Sequence, residues 1–339
     1  MKQESVKEVK PRLLLTGATG FIGNYLLREA LRQGYEVWCA VRKETNRSAY
    51  KDYPIHLLEF DFSSVESMKR TLAVVPREVD TPPFHYVIHN AGVTKATNIE
   101  LFRIANAEQT RNFLEALSAF PHPLRFLLMS SMGSYGLNQT SLPMSASMPQ
   151  KPHTEYGKSK LLAEQYTLSS GILATIVQPT GVYGYGDKDY WITVNTMRKG
   201  WSFLAGCTPQ KLSYVYVKDL VDAVFFLITH PKSVGGRYIV SDGKGYSDDE
   251  FTKICCHLLK RKIHILRVPL PLIYVACLIG ELYGKITSLP IALNRDKYPI
   301  IKQRNWLCDI TPLKALGFSP KYDLQAGLED TFREAGWLD

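Results

Sequence analysis

The chain has 339 residues, with 41 Lys+Arg against 32 Asp+Glu (a formal net charge of +9), 45% hydrophobic and 22% charged residues. That length suits one large α/β domain, or a nucleotide-binding domain with a smaller partner, and the composition is that of a globule able to bury a sizeable core. The positive balance fits an anionic ligand; with no long block of like charge and no nucleic-acid motif around the densest basic stretch, 253–267, nucleic acid is not an expected partner.

Cysteines stand at 39, 207, 255, 256, 277 and 308, with no C-x-x-C pair. This argues against a zinc site or a disulfide framework and predicts reduced thiols and a cytoplasmic protein. MKQESVKEVK at the start has no apolar core of a secretory signal.

The elements follow in chain order. Leu13–Leu15 is a short buried strand, and apolar positions at Leu26, Leu27, Ala30 and Leu31 predict a helix over Tyr25–Arg32, ended by Gly34. YEVWCAV and IHLLEFDF are strands two and three, and a serine opens the helix around SSVESMKRTL. YVIHNAG is the fourth strand, EQTRNFLEALSAF a helix, RFLLMSS the fifth strand, YGKSKLLAEQYTL a long helix, and LATIVQPTGVYG a sixth strand running into a loop. Strand and helix alternate, and the strands are almost continuously apolar. The predicted fold is therefore α/β, a doubly wound parallel sheet (Rossmann) with ligands at the carboxyl ends of its strands. The cofactor-binding domain is placed at 11–180, with 213–242 returning to it; 181–212 and 246–339 form a smaller C-terminal substrate-covering part.

Between the first strand and its helix lies TGATGFIG, with Gly17, Gly20 and Gly23. Gly17 permits a tight turn at positive φ, Gly20 a close approach of backbone to a pyrophosphate, and Gly23 close packing of helix on strand. The helix N-terminus would face the phosphates with free N–H groups. In this strand–turn–helix context the pattern predicts dinucleotide binding. Strand two ends in Arg42 and Lys43 rather than in a carboxylate. A guanidinium matches a 2′-phosphate, so NADP(H) is favoured over NAD(H). Asp61 and Phe62, ending strand three, are placed to meet the adenine.

YGKSK puts Tyr156 and Lys160 on one helical face, where an ammonium would lower the phenol's pKa; Ser131, ending strand five, could hold a substrate oxygen. With TGATGFIG, HNAG at 89–92, SSMGSYG at 130–136, PTGVYGYG at 179–186, YVYVKDLVDA at 214–223 and the late WLCDITPLKALGF, these motifs run in order through nearly the whole chain. The sequence resembles the short-chain dehydrogenase/reductases in their extended, epimerase/dehydratase-like branch. The resemblance implies Tyr156 as general acid–base, Lys160 on the nicotinamide ribose and Ser131 on the carbonyl or alcohol oxygen. It implies Asn106 supporting a relay water and a cofactor held by Gly17, Thr19, Gly20, Phe21, Ile22 and Gly23. Asn90, Ala91 and Gly92 would pass behind the cofactor, and Pro179 and Val182 would line the nicotinamide. A homodimer is common in the family.

Three readings of function follow. The first is an oxidoreductase interconverting a ketone and a secondary alcohol. The second is an NAD-dependent sugar-nucleotide epimerase or dehydratase; the third is a non-catalytic NADP-binding sensor or scaffold. Sugar-nucleotide enzymes usually carry arginines where this chain has Leu212–Ser213 and Pro299, although Lys211, Lys302 or Arg304 could substitute. Met132 and Gly133 after the serine offer no acid for elimination. The segment VPLPLIYVACLIGELYG, 268–284, resembles segments of the 3β-hydroxysteroid dehydrogenase and dihydroflavonol reductase branch, and is open to three readings: core, apolar substrate pocket or peripheral membrane contact. An apolar small-molecule substrate, a long-chain keto base or a sterol-like ketone, fits the first reading. His56, His85, His89, His122 and His153 are scattered, and no metal is expected. Tyr183, Tyr185 and Trp191 face either the substrate or the smaller part.

Overall fold

The computed structural model describes residues 10–338 apart from 79, 97, 121–124 and 288–292. Residues 1–9 and His122 lie outside the described residues. In chain order, β1 (Arg12–Thr16) passes through the glycine turn into α1 (Phe21–Arg32), then β2 (Glu36–Val41), β3 (His56–Glu59), α2 (Val65–Ala73) and β4 (Tyr86–His89). A short α3 (Glu100–Phe102) runs through a π-helical turn (Arg103–Glu108) into α4 (Gln109–Leu117), followed by β5 (Arg125–Met129), α5 (Glu155–Ser169) and β6 (Leu173–Pro179). The rest of the chain comprises β7 (Gly181–Tyr183), α6 (Asp189–Arg198), β8 (Trp201–Ala205), β9 (Lys211–Leu212), β10 (Tyr214–Tyr216) and α7 (Val217–Thr229). After these come β11 (Arg237–Val240), β12 (Tyr246–Ser247), α8 (Asp248–Leu258), β13 (His264–Val268), α9 (Leu270–Thr287), α10 (Tyr298–Lys302), β14 (Asn305–Trp306), α11 (Thr311–Ala315) and α12 (Leu324–Glu334).

Seven parallel strands form one sheet in the order β11-β6-β5-β4-β1-β2-β3. Alternation along β1 explains the layers. Leu13 and Leu15 enter the core under α1 and α7, and Leu14 enters the core under α2, α4 and α5. Both faces are covered, which is why the strand reads as an unbroken apolar run. The order reverses between β1 and β4, and a doubly wound sheet opens its ligand crevice at that point.

Helix α1 begins at Phe21, earlier than the apolar periodicity implies, because Gly20 already occupies the N-cap. The expected sixth strand divides at Thr180. Its amide still bonds Val240 O at 3.1 Å, but its hydroxyl donates to Ser213 O at 2.8 Å, and β7 leaves the sheet to pair with β10. Of the returning segment 213–242, β11 alone joins the main sheet; β10 pairs with β7 outside it.

The smaller part holds a parallel pair, β8–β13, and a three-stranded sheet, β12-β9-β14. Tyr183, Tyr214, Tyr216, Phe251, Leu328 and Phe332 build its core. Tyr183 and Trp191 therefore pack on this part: Tyr183 is 2% exposed, and the Trp191 ring lies 4.4 Å from that of Trp337.

Gly23 sets how closely α1 lies on the turn, since a Cβ there would stand 2.0 Å from Gly17 O. Gly23→Ala is expected to cost about 1–3 kcal/mol in urea unfolding. An unchanged midpoint would show that α1 can shift freely.

Candidate active site

Gly17 has φ +73°, and a Cβ on it would meet Ala91 N at 2.8 Å, so the turn after β1 and the strand end of β4 touch through backbone alone. Asn90 Nδ2 donates to Gly17 O at 3.4 Å. No side chain caps α1 at Gly20, so its first N–H groups face outward with the positive end of the helix dipole. They open on a cleft of about 520 Å³.

The cleft collects most of the expected residues. Gly17, Thr19, Gly20, Phe21 and Ile22 form one wall, and Arg42 and Phe62 lie at the β2–β3 end. Asn90, Ala91 and Gly92 form the floor; Ser131, Tyr156 and Lys160 face Pro179 and Val182 at the other end. Gly23 lies beneath, in helix packing. Two residues are not brought in. Lys43 is exposed in the turn after β2 and does not line the cleft. Asp61 is also exposed, and accepts hydrogen bonds from Ser63 N at 3.0 Å and Ser63 Oγ at 2.6 Å, which hold its carboxyl below its usual range. It organises the loop before α2.

Tyr50 also lines the cleft; its phenol is pushed up to about 12 by burial. Nothing in the local pattern marks it, since it ends a single 3₁₀ turn, Arg47–Tyr50. Asp187 lines the cleft too, its carboxyl raised by burial while accepting from Tyr190 N at 2.6 Å. A glycine-walled turn, an uncapped helix end and a long cleft with a guanidinium at one end fit a dinucleotide.

Thr154 Oγ1 caps α5 by accepting from Gly157 N at 3.0 Å, and this aligns Tyr156 and Lys160. Ser131 Oγ accepts from Gly133 N at 3.1 Å, and its hydroxyl also hydrogen-bonds the Tyr156 phenol. Lys160 Nζ donates to Met129 O at 2.8 Å, and burial lowers its pKa to about 8 against the opposing pull of Glu164. Tyr156 departs from the expectation of a lowered pKa. Burial raises it, and the Ser131 hydroxyl only partly offsets that. The phenol therefore holds its proton at neutral pH.

Around this group the buried polar atoms form a bonded network, with Arg237 Nε, 3.5 Å from Glu164, its one buried atom without a hydrogen bond among the described residues. Asn106, within the π-turn, donates to Val93 O and to Ser159 Oγ at 3.0 Å each and accepts from Val93 N at 2.7 Å; its side chain clamps the loop after β4. Its carbonyl accepts from Thr110 Oγ1 at 2.7 Å. His89 joins Thr110 Oγ1 at 2.9 Å and Thr16 Oγ1 at 2.8 Å, and burial beside Lys160 pushes it down to about 3, leaving it neutral. Glu164, one turn beyond Lys160, accepts from Gln178 Nε2 at 3.0 Å and Gln150 Nε2 at 2.7 Å, and also from the Ser130 hydroxyl. The Phe102 ring meets Tyr156 edge-on at 6.1 Å.

Residues 13–241 match the NAD dependent epimerase/dehydratase family. The chain is 25% identical to the ceramide reductase of Caulobacter vibrioides and 28% identical to the UDP-glucose 4-epimerase of Vibrio cholerae, in both cases over 96% of this chain and 95% of the relative. Among solved structures, the dTDP-glucose 4,6-dehydratase of Bacillus anthracis in complex with NAD superposes with a TM-score of 0.73 at 17% identity, covering 97% of this chain and 98% of that one.

Lys160 releases its proton near 8 when folded rather than at 10.5, so the unfolded chain binds more protons between those values. Its charge opposes folding fully below pH 8, and that cost fades as the pH climbs to 10.5. Lys160→Met is expected to raise Tm at pH 7, by an amount that shrinks once the pH passes 8. A Tm at or below the parent's at pH 7 would contradict the burial-dominated balance.

Proposed function

The chain belongs to the NAD dependent epimerase/dehydratase family, the extended short-chain dehydrogenase/reductases, and within it we propose an NADP(H)-dependent oxidoreductase that interconverts a ketone and a secondary alcohol on a hydrophobic, lipid-like substrate. The observation that carries the substrate half is the character of the segment beside the catalytic helix. Asp296 Oδ1 accepts from Glu155 N at 3.4 Å, which joins the stretch after α9 to the first turn of α5, and α9 itself is apolar and outward-facing.

The sugar-nucleotide alternative draws support from the Vibrio cholerae relative. Its phosphates would need a cation near β9 or α10. Arg304 is committed elsewhere, donating to Ala205 O and Thr208 O at 2.8 Å each. Leu212, Ser213 and Pro299 supply none, which leaves Lys211 on β9 and Lys302 in the last turn of α10 as the cations such a ligand would have to use.

In the reductive direction the residues divide the work. Ser131, its oxygen already occupied by Gly133 N, donates to the substrate carbonyl. Tyr156, its proton held by burial, delivers that proton to the oxygen as negative charge develops. Lys160, buried one helical turn away, stabilises the phenolate that remains. When bound, the nicotinamide supplies the hydride. Arg42 at the far end of the cleft, with no carboxylate among the lining residues of β2, supports the choice of NADP(H).

Two measurements test this reading. Purified protein with NADPH is expected to turn over a long-chain keto base or a steroidal ketone and to ignore UDP-hexoses, and Tyr156→Phe is expected to lower kcat/KM by about 10²-fold or more. Tightly held NAD with interconversion of UDP-hexoses would replace it with the epimerase. Arg42→Ala should weaken NADPH, on the order of tenfold or more, and leave NADH unchanged in a fluorescence titration. Equal loss for both cofactors would remove the basis for preferring NADP(H).

A further inference from the structure

Helix α9 has the sidedness of a surface helix turned inside out. Its protein-facing side carries Ile273, Cys277, Gly280, Glu281 and Gly284, of which Cys277 alone is fully buried. Glu281 is spoken for, bound by Arg295 at 2.6 and 2.8 Å. The opposite side carries Leu272, Val275, Ile279, Leu282 and Ile286, recurring at three- and four-residue steps and so sharing one face. Ile279 is 63% exposed, Leu282 61% and Ile286 75%. A helix on a soluble surface normally turns charge to water, and this one turns its bulkiest apolar residues. Tyr274 and Tyr283, both exposed, flank that face.

A second apolar face lies on the strand pair that leads into the helix. In the β8–β13 register, His264 lies beside Trp201, and Leu266 beside Phe203. The inner face is anchored by Ser202, bonded to Thr252 Oγ1 at 2.9 Å, and by Arg267, bonded to Asp248 at 3.0 Å. Trp201, Phe203 and Leu266 are left on the outside, each about half exposed. The ribbon starts in a collar of exposed cations. Lys260, Arg261 and Lys262 form the turn into β13; Arg198 ends α6 with its guanidinium 4.1 Å over the Trp337 ring, and Lys199 opens the turn into β8; Arg261 bonds Arg198 O, and His264 N bonds Gly200 O at 2.8 Å.

We propose that α9 and the outer face of the β8–β13 ribbon rest on an anionic lipid bilayer, with the cations at 198–199 and 260–262 on its phosphate headgroups. Apolar side chains of this size with tyrosines at their flank suit the acyl–headgroup boundary, and lysine and arginine beside them suit a negative leaflet. No helix among the described residues is long and apolar enough to cross a membrane, so the contact lies along the surface. The net charge of +9 gives the approach the right sign. Since the stretch after α9 reaches the first turn of α5, such a seat would hold the catalytic cleft close to the lipid. The inference extends the substrate reading, and its test needs no turnover.

The test is flotation of the full-length protein with vesicles of phosphatidylcholine alone and of phosphatidylcholine with about one-third phosphatidylglycerol. Partition onto the anionic vesicles is expected to be about tenfold or more stronger. The pair Ile279→Asp and Leu282→Asp should abolish it with unchanged far-UV circular dichroism. Lys260→Glu with Arg261→Glu should remove the anionic preference. Should the aspartates disturb folding, Trp201→Ser with Phe203→Ser tests the ribbon face separately. No flotation on either vesicle, or flotation indifferent to the apolar substitutions, overturns the proposal. A discrete dimer in light scattering that Ile279→Asp disperses would also overturn it, by assigning the face to a second copy of the chain.

Discussion

The site is built around one ammonium kept out of water. Lys160 is 6% exposed, and a buried charge is tolerable only when its surroundings answer it. The answer has two parts. The Met129 carbonyl takes the hydrogen bond at the end of β5, and the Glu164 carboxylate one helical turn away offsets part of the burial cost, although its own ion pair is with Arg237 on β11 at 3.5 Å. Glu164, itself fully buried, is held by donors from three segments: Ser130 after β5, Gln150 before α5, and Gln178 on β6. On the other side, His89 stays neutral and adds no second cation. The central strands are thus joined to α5 by hydrogen bonds as well as by apolar packing.

Much of this was legible in the sequence because local backbone chemistry imposes it. The glycine turn is tied to a positive φ and to contacts a Cβ would obstruct, and Tyr156 and Lys160 share a face because a helix repeats at that spacing. Other features had no local sign. Asp61 and Phe62 are neighbours in the loop after β3, yet that loop turns one carboxylate out to Ser63 and one ring in to the cleft. Gln150, Glu164 and Gln178 meet from separate elements, and no spacing along the chain announces that. Strands of two or three residues such as β9, β12 and β14 are too short to carry a period. The tyrosine's pKa is raised, not lowered, because burial outweighs the Ser131 hydrogen bond, and burial leaves no mark in the Tyr156–Lys160 spacing.

The two parts of the chain are joined by polar fastenings as well as packing. Asp219 on α7 accepts from Lys321 N and Tyr322 N at 2.9 Å each, which holds the approach to α12 against the nucleotide domain. Lys95 after β4 pairs with Asp189 at the start of α6, across the edge of the cleft. By contrast α9, among its described side chains, buries only Cys277 fully, so little of the core holds it.

The π-turn at Arg103–Glu108 has a consequence of its own. A wide turn of this kind is an α-helix that has accommodated one extra residue. That extra residue sets the rotation between α3 and α4, so that Phe102 reaches the Tyr156 ring while Asn106 reaches Val93 and Ser159. Loss of one residue would let the helix run straight but would swing everything before it by about a quarter turn around the axis, since a residue takes up about 100° of helix. Many substitutions at 103–105 would leave the register intact, whereas a one-codon deletion would not. In this stretch heredity must preserve a length more strictly than it preserves a spelling.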